Sequence, residues 1–274
     1  MPVTRRWGMA RDPAVAGQFY PADKRALLRE LEALIPDRPD KIDAIGAVVP
    51  HAGYVYSGSV AGEVYAELMP KSTYIILSPN HTGYGARFAA YREPWRMPLG
   101  PVDVDKYLLA AIMRNTGLIK EDPAAHVAEH SIEVQLPFIQ KTAKAANIVP
   151  ITVRYGNLPE LREVADAIVS AVREADREAV IIASSDMTHY EPREVAKKKD
   201  QMAIQAVLDL DAEGLLNVVE ENNISMCGYI PAVIMLMCAN KMDAKEGKLV
   251  KYSDSGDVTG DTAGVVGYAG IIVY

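Results

Sequence analysis

Apolar positions recur along this chain in two alternating rhythms. Residues 22–35, ADKRALLRELEALI, place Leu27, Leu28, Leu31, Leu34 and Ile35 on one stripe, which predicts an amphipathic helix. The apolar run at 45–49 is short and β-branched, the mark of a buried strand. The alternation then continues, with a helix expected over 59–68 and a strand over 74–77. An extended segment and turn over 87–100 closes on Pro98-Leu99-Gly100. Further helices are predicted at 104–114, 130–146, 158–175, 193–208, 211–220 and 229–239, with strands at 147–154 and 179–183. The closing VVGYAGIIVY reads as one or two strands. Buried strands separated by helices predict an α/β fold with a central, largely parallel or mixed sheet flanked by helices on both faces. No repeat, low-complexity tract or linker interrupts the pattern, so residues 1–274 read as one domain.

Composition narrows the function classes. Hydrophobic residues make up 49% of the chain, enough for a core that needs no disulfides. The net charge is −7, and Lys197 to Lys199, the one dense basic run, suits a solvated helix face. A surface that tracks phosphates needs a basic field, so nucleic acid is not an expected partner. No apolar window reaches the ~18–20 residues that a membrane span requires. The first residues lack the apolar stretch of a signal peptide. The cysteines, Cys227 and Cys238, do not form a secreted disulfide framework. A cytoplasmic location is the expectation.

Candidate chemistry gathers after the predicted strands. His51 follows one in VVPHAGY, His81 follows another in ILSPNHTGYG, and Asp186 and His189 follow a third in IIASSDMTHY. In open α/β sheets the loops beyond the carboxyl ends of the strands converge on one crevice, where ligands bind. Pro50 and Pro79 stop their strands just before the polar residues, and Gly53, Gly83 and Gly85 permit tight turns. Tyr54, Tyr56 and Tyr84 flank the histidine loops. Cys227 lies just before a predicted helix whose first turn holds Pro231. A helix N-terminus lowers a thiol pKa towards the metal-binding thiolate. Cys238, on an apolar stripe, reads as an inert core residue. His126, Glu129 and His130 spell H-x-x-E-H, an inverted zinc-peptidase pattern that needs both histidines on one helical face. Pro123 stands close enough to put His126 ahead of the helix, leaving Glu129 and His130 at its start, facing the cleft. Ile132, Val134 and Leu136 then belong to the core.

With these motifs laid out, the chain resembles the Memo family, whose fold is similar to that of the class III extradiol ring-cleaving dioxygenases. The resemblance rests on PAVAGQFYP (13–21), VVPHAGYVYSG (48–58), SPNHTGYG (78–85), Trp95 with the following PLGPV, EHSIEVQLPF (129–138), SSDMTHY (184–190), CGYIP (227–231) and the final YAG. It implies a metal site of His51, His81 and Cys227, with Asp186, His189, His130 and Glu129 as catalytic neighbours. The ring-cleaving enzymes hold Fe(II) with two histidines and a carboxylate. A cysteine in the carboxylate's place shifts the preference towards copper, zinc or a redox-active iron site. The function implied is a non-haem iron- or copper-dependent oxidoreductase. The alternatives are a non-catalytic module that holds a peptide or small-molecule ligand in the same cleft, and a zinc hydrolase.

Overall fold

Four short apolar runs make the middle of the sheet. The computed structural model describes residues 10–274. Its strands are β1 (Gly46–Val49), β2 (Thr73–Pro79), β3 (Phe88–Ala90), β4 (Trp95–Met97), β5 (Gly100–Val102), β6 (Lys120–Glu121), β7 (Asn147–Val153), β8 (Ala179–Ser184), β9 (His189–Glu191), β10 (Gly247–Asp254) and β11 (Val265–Val273). The α-helices are α1 (Lys24–Leu34), α2 (Tyr54–Glu67), α3 (Lys106–Asn115), α4 (Leu136–Thr142), α5 (Leu158–Ala175), α6 (Arg193–Leu208), α7 (Ala212–Glu221), α8 (Tyr229–Lys241) and α9 (Gly256–Thr259).

The main sheet runs β10-β11-β1-β8-β2-β7-β3-β6, with β9 added on β11. β1, β8, β2 and β7 are parallel neighbours, and every residue of β1, β2 and β8 is buried. Strands covered on both faces must be apolar throughout, which is why these were readable as continuous runs. On either side of this centre the pairing turns antiparallel, at β1–β11, β11–β10 and β7–β3, while the outermost pair β3–β6 is again parallel. The sheet is therefore mixed, as expected.

The helix layers follow from sequence chemistry. α8 is apolar around its whole circumference, with Ile230 to Ala239 buried, and packs across β1, β2 and β8 and against α5. α5 is started by a capping box, in which Asn157 accepts from the Glu160 N–H while the Glu160 carboxylate takes the Asn157 N–H. α2 lies on β1, β10 and β11 and carries α1 and α4 on its outer side.

Two expectations need correction. The helix predicted over 130–146 is only α4, preceded by a 3-10 turn at Glu133–Gln135. The first turns are of mixed kind, with the Val134 N–H reaching the His130 carbonyl and the Gln135 N–H that of Ile132, while the Glu129 carboxylate takes the otherwise unpartnered His130 and Ser131 N–H groups; the far end stops at Ala143, which is extended. Ile132, Val134 and Leu136 are buried as expected. No strand was anticipated near 247–254, yet β10 lies there. It is an edge strand with a bulge between Leu249 and Lys251 and only partial burial, so it lacks the apolar run that marks central strands.

The registers Val49↔Ser184, Leu77↔Ala183 and Pro79↔Val153 bring the carboxyl ends of the parallel strands to one edge. The loops bearing His51, His81 and Asp186 leave from there, the last leading into β9, which begins at His189.

Candidate metal centre

His51 reaches the edge through Pro50 and is pinned by its backbone, whose N–H donates to Asp186 Oδ1 at 2.7 Å. The loops after β1 and β8 are thereby joined. The imidazole is buried, with Nδ1 3.0 Å from Ser184 Oγ and Nε2 3.3 Å from Cys227 Sγ. Cys227 ends the turn before α8 and accepts the Asp186 N–H at 3.3 Å. It comes this close because residue 228 is glycine. A Cβ there would stand 2.3 Å from the Ser184 carbonyl oxygen and 2.6 Å from Ser185 Cβ.

Glu129 organises the other side. Its carboxylate accepts the His81 N–H (2.6 Å), faces His81 Nδ1 (2.9 Å), and takes the N–H groups of His130 and Ser131 (both 3.0 Å) and the Ser131 hydroxyl (2.8 Å). His81 and His130 stack with ring centroids 4.8 Å apart, and His51 lies edge-on to both at 5.2 and 5.4 Å. One nitrogen from each of His51, His81 and His130 falls within 4.8 Å of the others.

These donors suit a metal ion. His51, His81 and His189 each direct Nδ1 back into the protein, to Ser184 Oγ, Glu129 Oε1 and the Ser225 carbonyl respectively, which leaves Nε2 as the nitrogen each could offer to an ion. Ligand bonds of ~2.0 Å to nitrogen and ~2.3 Å to sulfur at a tetrahedral angle separate the two donors by about 3.5 Å. The 3.3 Å between His51 Nε2 and Cys227 Sγ is close to that spacing. Imidazole with thiol sulfur is a donor set for zinc, copper or iron, and it does not choose among them.

Burial, reinforced by the neighbouring His81 and His130, holds the His51 pKa well below the usual imidazole range, which keeps the ring neutral as a ligand must be. Burial likewise lowers His130. At His81 burial acts in the same direction, but the hydrogen bond and charge of Glu129 prevail and raise the pKa. The converse holds at Glu129, where burial is overcome chiefly by His81 and the carboxyl is held well below the usual carboxylate range. Burial pushes Asp186 up to about 6 against the hydrogen bond from His51. The expectation for Cys227 is overturned: burial, with the nearby Asp186, pushes the thiol up, so the start of α8 does not make it a thiolate. In the ion-free protein Cys227 and His51 are a neutral pair, not an activated nucleophile and base.

The sequence-derived residues divide accordingly. His51, His81, His130 and Cys227 meet at the centre. Glu129 is beneath it as a positioning carboxylate, and Asp186 ties the His51 loop to Cys227. His189 is anchored by two contacts to Ser225, through its N–H to Oγ and its Nδ1 to the carbonyl, and it is near enough to influence both His51 and Asp186. His126 is not part of the site. It is fully buried, 3.0 Å from the Ala89 carbonyl through Nε2, and packed against Trp95, so the H-x-x-E-H residues do not share a helical face.

Sequence reasoning weighs Ser184 only as a nucleophile, which its closeness to His189 rules out, and it misses Gln135, Ser131 and Ser225, because buried hydroxyls and amides carry no sequence periodicity of their own. A trace did exist in SIEVQL, where Ser131, Glu133 and Gln135 alternate with apolar residues and are all fully buried. Glu133 accepts from Arg11 Nη1 (2.6 Å), the Ala14 and Val15 N–H groups and the Tyr20 hydroxyl (2.7 Å). That clamp sets Phe19 against His130, with ring centroids 4.9 Å apart.

Known proteins of the same shape of sequence cover almost the whole chain. The family described as Memo-like protein matches residues 11–272. A MEMO1 family protein of Methanopyrus kandleri is 45% identical over 279 residues, covering 96% of this chain and 99% of the relative. Another, from Methanosarcina acetivorans, is 44% identical, with 96% and 98% covered. A third, from Methanocaldococcus jannaschii, is 40% identical, again with 96% and 98% covered. A match of this extent places this protein in the Memo family.

Proposed function

We propose that this Memo-family protein is a metal-dependent oxidoreductase whose ion is held by His51, His81 and Cys227, with His130 at its side. The observation that supports the reading most is the convergence of three histidine nitrogens within 4.8 Å at the carboxyl edge of the parallel strands. The 3.3 Å contact of Cys227 with His51 extends the donor set. Fe(II) or copper is the proposed cofactor, and zinc also suits these donors. Bound iron or copper supplies a redox couple and a Lewis acid.

The protein's own groups have separate tasks in this proposal. Glu129 aims His81 and His130. His189, with Nδ1 tied to the Ser225 carbonyl, offers Nε2 for proton transfer, a role imidazole performs well near neutrality. Asp186, raised to about 6, holds or releases a proton beside it.

Metal content tests the first step. Protein purified without an affinity histidine tag is compared with a His51→Ala/Cys227→Ala double variant, and bound iron or copper is expected only in the former. A wild-type protein that holds no metal and takes none up on micromolar titration refutes the metalloprotein reading. Aerobic turnover of a catechol panel by the loaded protein then tests the oxidoreductase step.

A second reading, a binding module for a peptide or small molecule, is favoured by exposed apolar side chains on the segments that follow the parallel strands. Val55, Tyr84, Tyr155 and Tyr190 are each more than half exposed. Peptide binding that survives His51→Ala and His81→Ala would select it.

A further inference from the structure

The Ser184 hydroxyl has one proton to give, and its surroundings decide where that proton goes. Ser184 Oγ lies 2.7 Å from the Ser131 carbonyl oxygen, and a carbonyl brings no hydrogen, so the serine is the donor. Gln135 Nε2 approaches the same oxygen at 2.9 Å. The orientation of that amide is fixed from both ends. Its NH2 group also donates to the Pro50 carbonyl at 3.0 Å, and its Oε1 accepts from the Tyr65 hydroxyl at 3.0 Å. Turning the amide over would set its oxygen against a carbonyl.

Ser184 thus spends its proton on Ser131 and receives one from Gln135. The third contact, 3.0 Å from His51 Nδ1, can only be one in which the serine accepts. Ser184, Ser131 and Gln135 are all fully buried, so the arrangement is closed to solvent.

We infer that Ser184, held by Gln135 and Ser131, is a positioning residue that fixes His51 as the Nδ1–H tautomer before any ion arrives. The lone pair of Nε2 then points towards Cys227 and the metal donors. The opposite tautomer would set the Nδ1 lone pair against an oxygen with no hydrogen left to offer, and would close Nε2 with a proton. Gln135 enters from the 3-10 turn and Tyr65 from α2, so the tautomer is set by three elements that never touch the ion. The tautomer stands on the hydrogen bonds alone; its consequence for metal affinity rests on the proposed metal-binding role.

The test is long-range proton–nitrogen NMR of 15N-histidine protein, chelator-treated, at pH 8. The His51 signals are assigned by their loss in His51→Gln. A protonated Nδ1 and an unprotonated Nε2 are expected in the wild type. In Ser184→Ala the pattern should shift towards the other tautomer, with Co(II) affinity falling about 10–100-fold. Ser184→Thr, which keeps the hydroxyl, should restore the wild-type pattern. A wild-type His51 protonated at Nε2, or one whose tautomer is unchanged in Ser184→Ala, overturns the inference. The wild-type spectrum alone decides the matter if the alanine variant does not fold. The expected tautomer in a wild-type protein that binds no Co(II) supports the inference and removes the metal reading, which separates the two failures.

Discussion

His126 gives the sharpest test of the physical reasoning, because its environment forbids a charge. Its Nε2 faces the Ala89 carbonyl at 3.0 Å, while Nδ1 has no hydrogen-bond partner among the described residues. Protonation would therefore create a buried N–H without an acceptor. Burial is the chief cause of its lowered pKa, with Arg11 adding to the effect and the Ala89 contact opposing it, and the result is about 4. In the unfolded chain the ordinary imidazole value of ~6.5 applies. As pH falls, the unfolded state takes up its proton first, so stability is complete above about 6.5 and is lost on acidification until both states are protonated below about 4. The loss from this one residue is about 2 kcal/mol at pH 5 and approaches ~3.4 kcal/mol at the acid limit.

His126→Gln keeps a donor for Ala89 and removes the titration. Urea unfolding of chelator-treated wild type and variant at pH 8 and pH 5 gives the difference of differences. Other titrations cancel in it, including that of Asp186, whose raised pKa works with opposite sign and removes stability as pH rises through about 6. The wild type should lose about 2 kcal/mol more than the variant between the two pH values. Equal losses in the two proteins would refute the argument.

Three further outcomes follow from the site's surroundings. Glu133→Ala strips the buried Arg11 of its partner and should cost about 3–5 kcal/mol, read as a lowered urea midpoint together with new trypsin cleavage at Arg11. Gly228→Ala forces the Cys227 turn away from the Ser184 carbonyl, and should cost about 1–3 kcal/mol in thermal unfolding and weaken Co(II) binding, whereas an unchanged Tm would show that the turn has slack. Glu129→Gln sets an amide NH2 among hydrogen-bond donors and should reduce metal affinity about 10–100-fold in a competition titration while leaving the far-UV circular dichroism intact.

Legibility in the sequence tracked burial pattern more than importance. β1, β2, β7 and β8 are continuous apolar runs, and the residues just beyond three of them stand out as site candidates in the sequence alone. β10 was missed because Lys248 and Lys251 interrupt it, as suits an edge strand. The segment after His130 is helical as its apolar spacing suggests, but it tightens into a 3-10 turn at Glu133–Gln135 and leaves the helix at Ala143, and apolar spacing reports neither the tight turn nor the early stop. The Ser184–Gln135–Tyr65 chain of hydrogen bonds joins positions far apart in sequence, and only the folded chain shows which donor meets which acceptor. The nearness of Cys227 to His51 is implied only by the family resemblance, and its protonation depends on how deeply α8 is packed, which no local pattern reports.

The placing of β11 bears on how the molecule is made. The latest strand in sequence is not added at a margin; it slots between β10 and β1, and its Val48↔Ile271 register completes the flank of the strand that delivers His51. During synthesis, β1 waits with one row of peptide groups unpaired until some two hundred later residues have left the ribosome. A chain cut short after Thr262 would keep every metal donor named above and still expose that open row to other nascent chains, so its fault would be precipitation in the cell and not a change in chemistry.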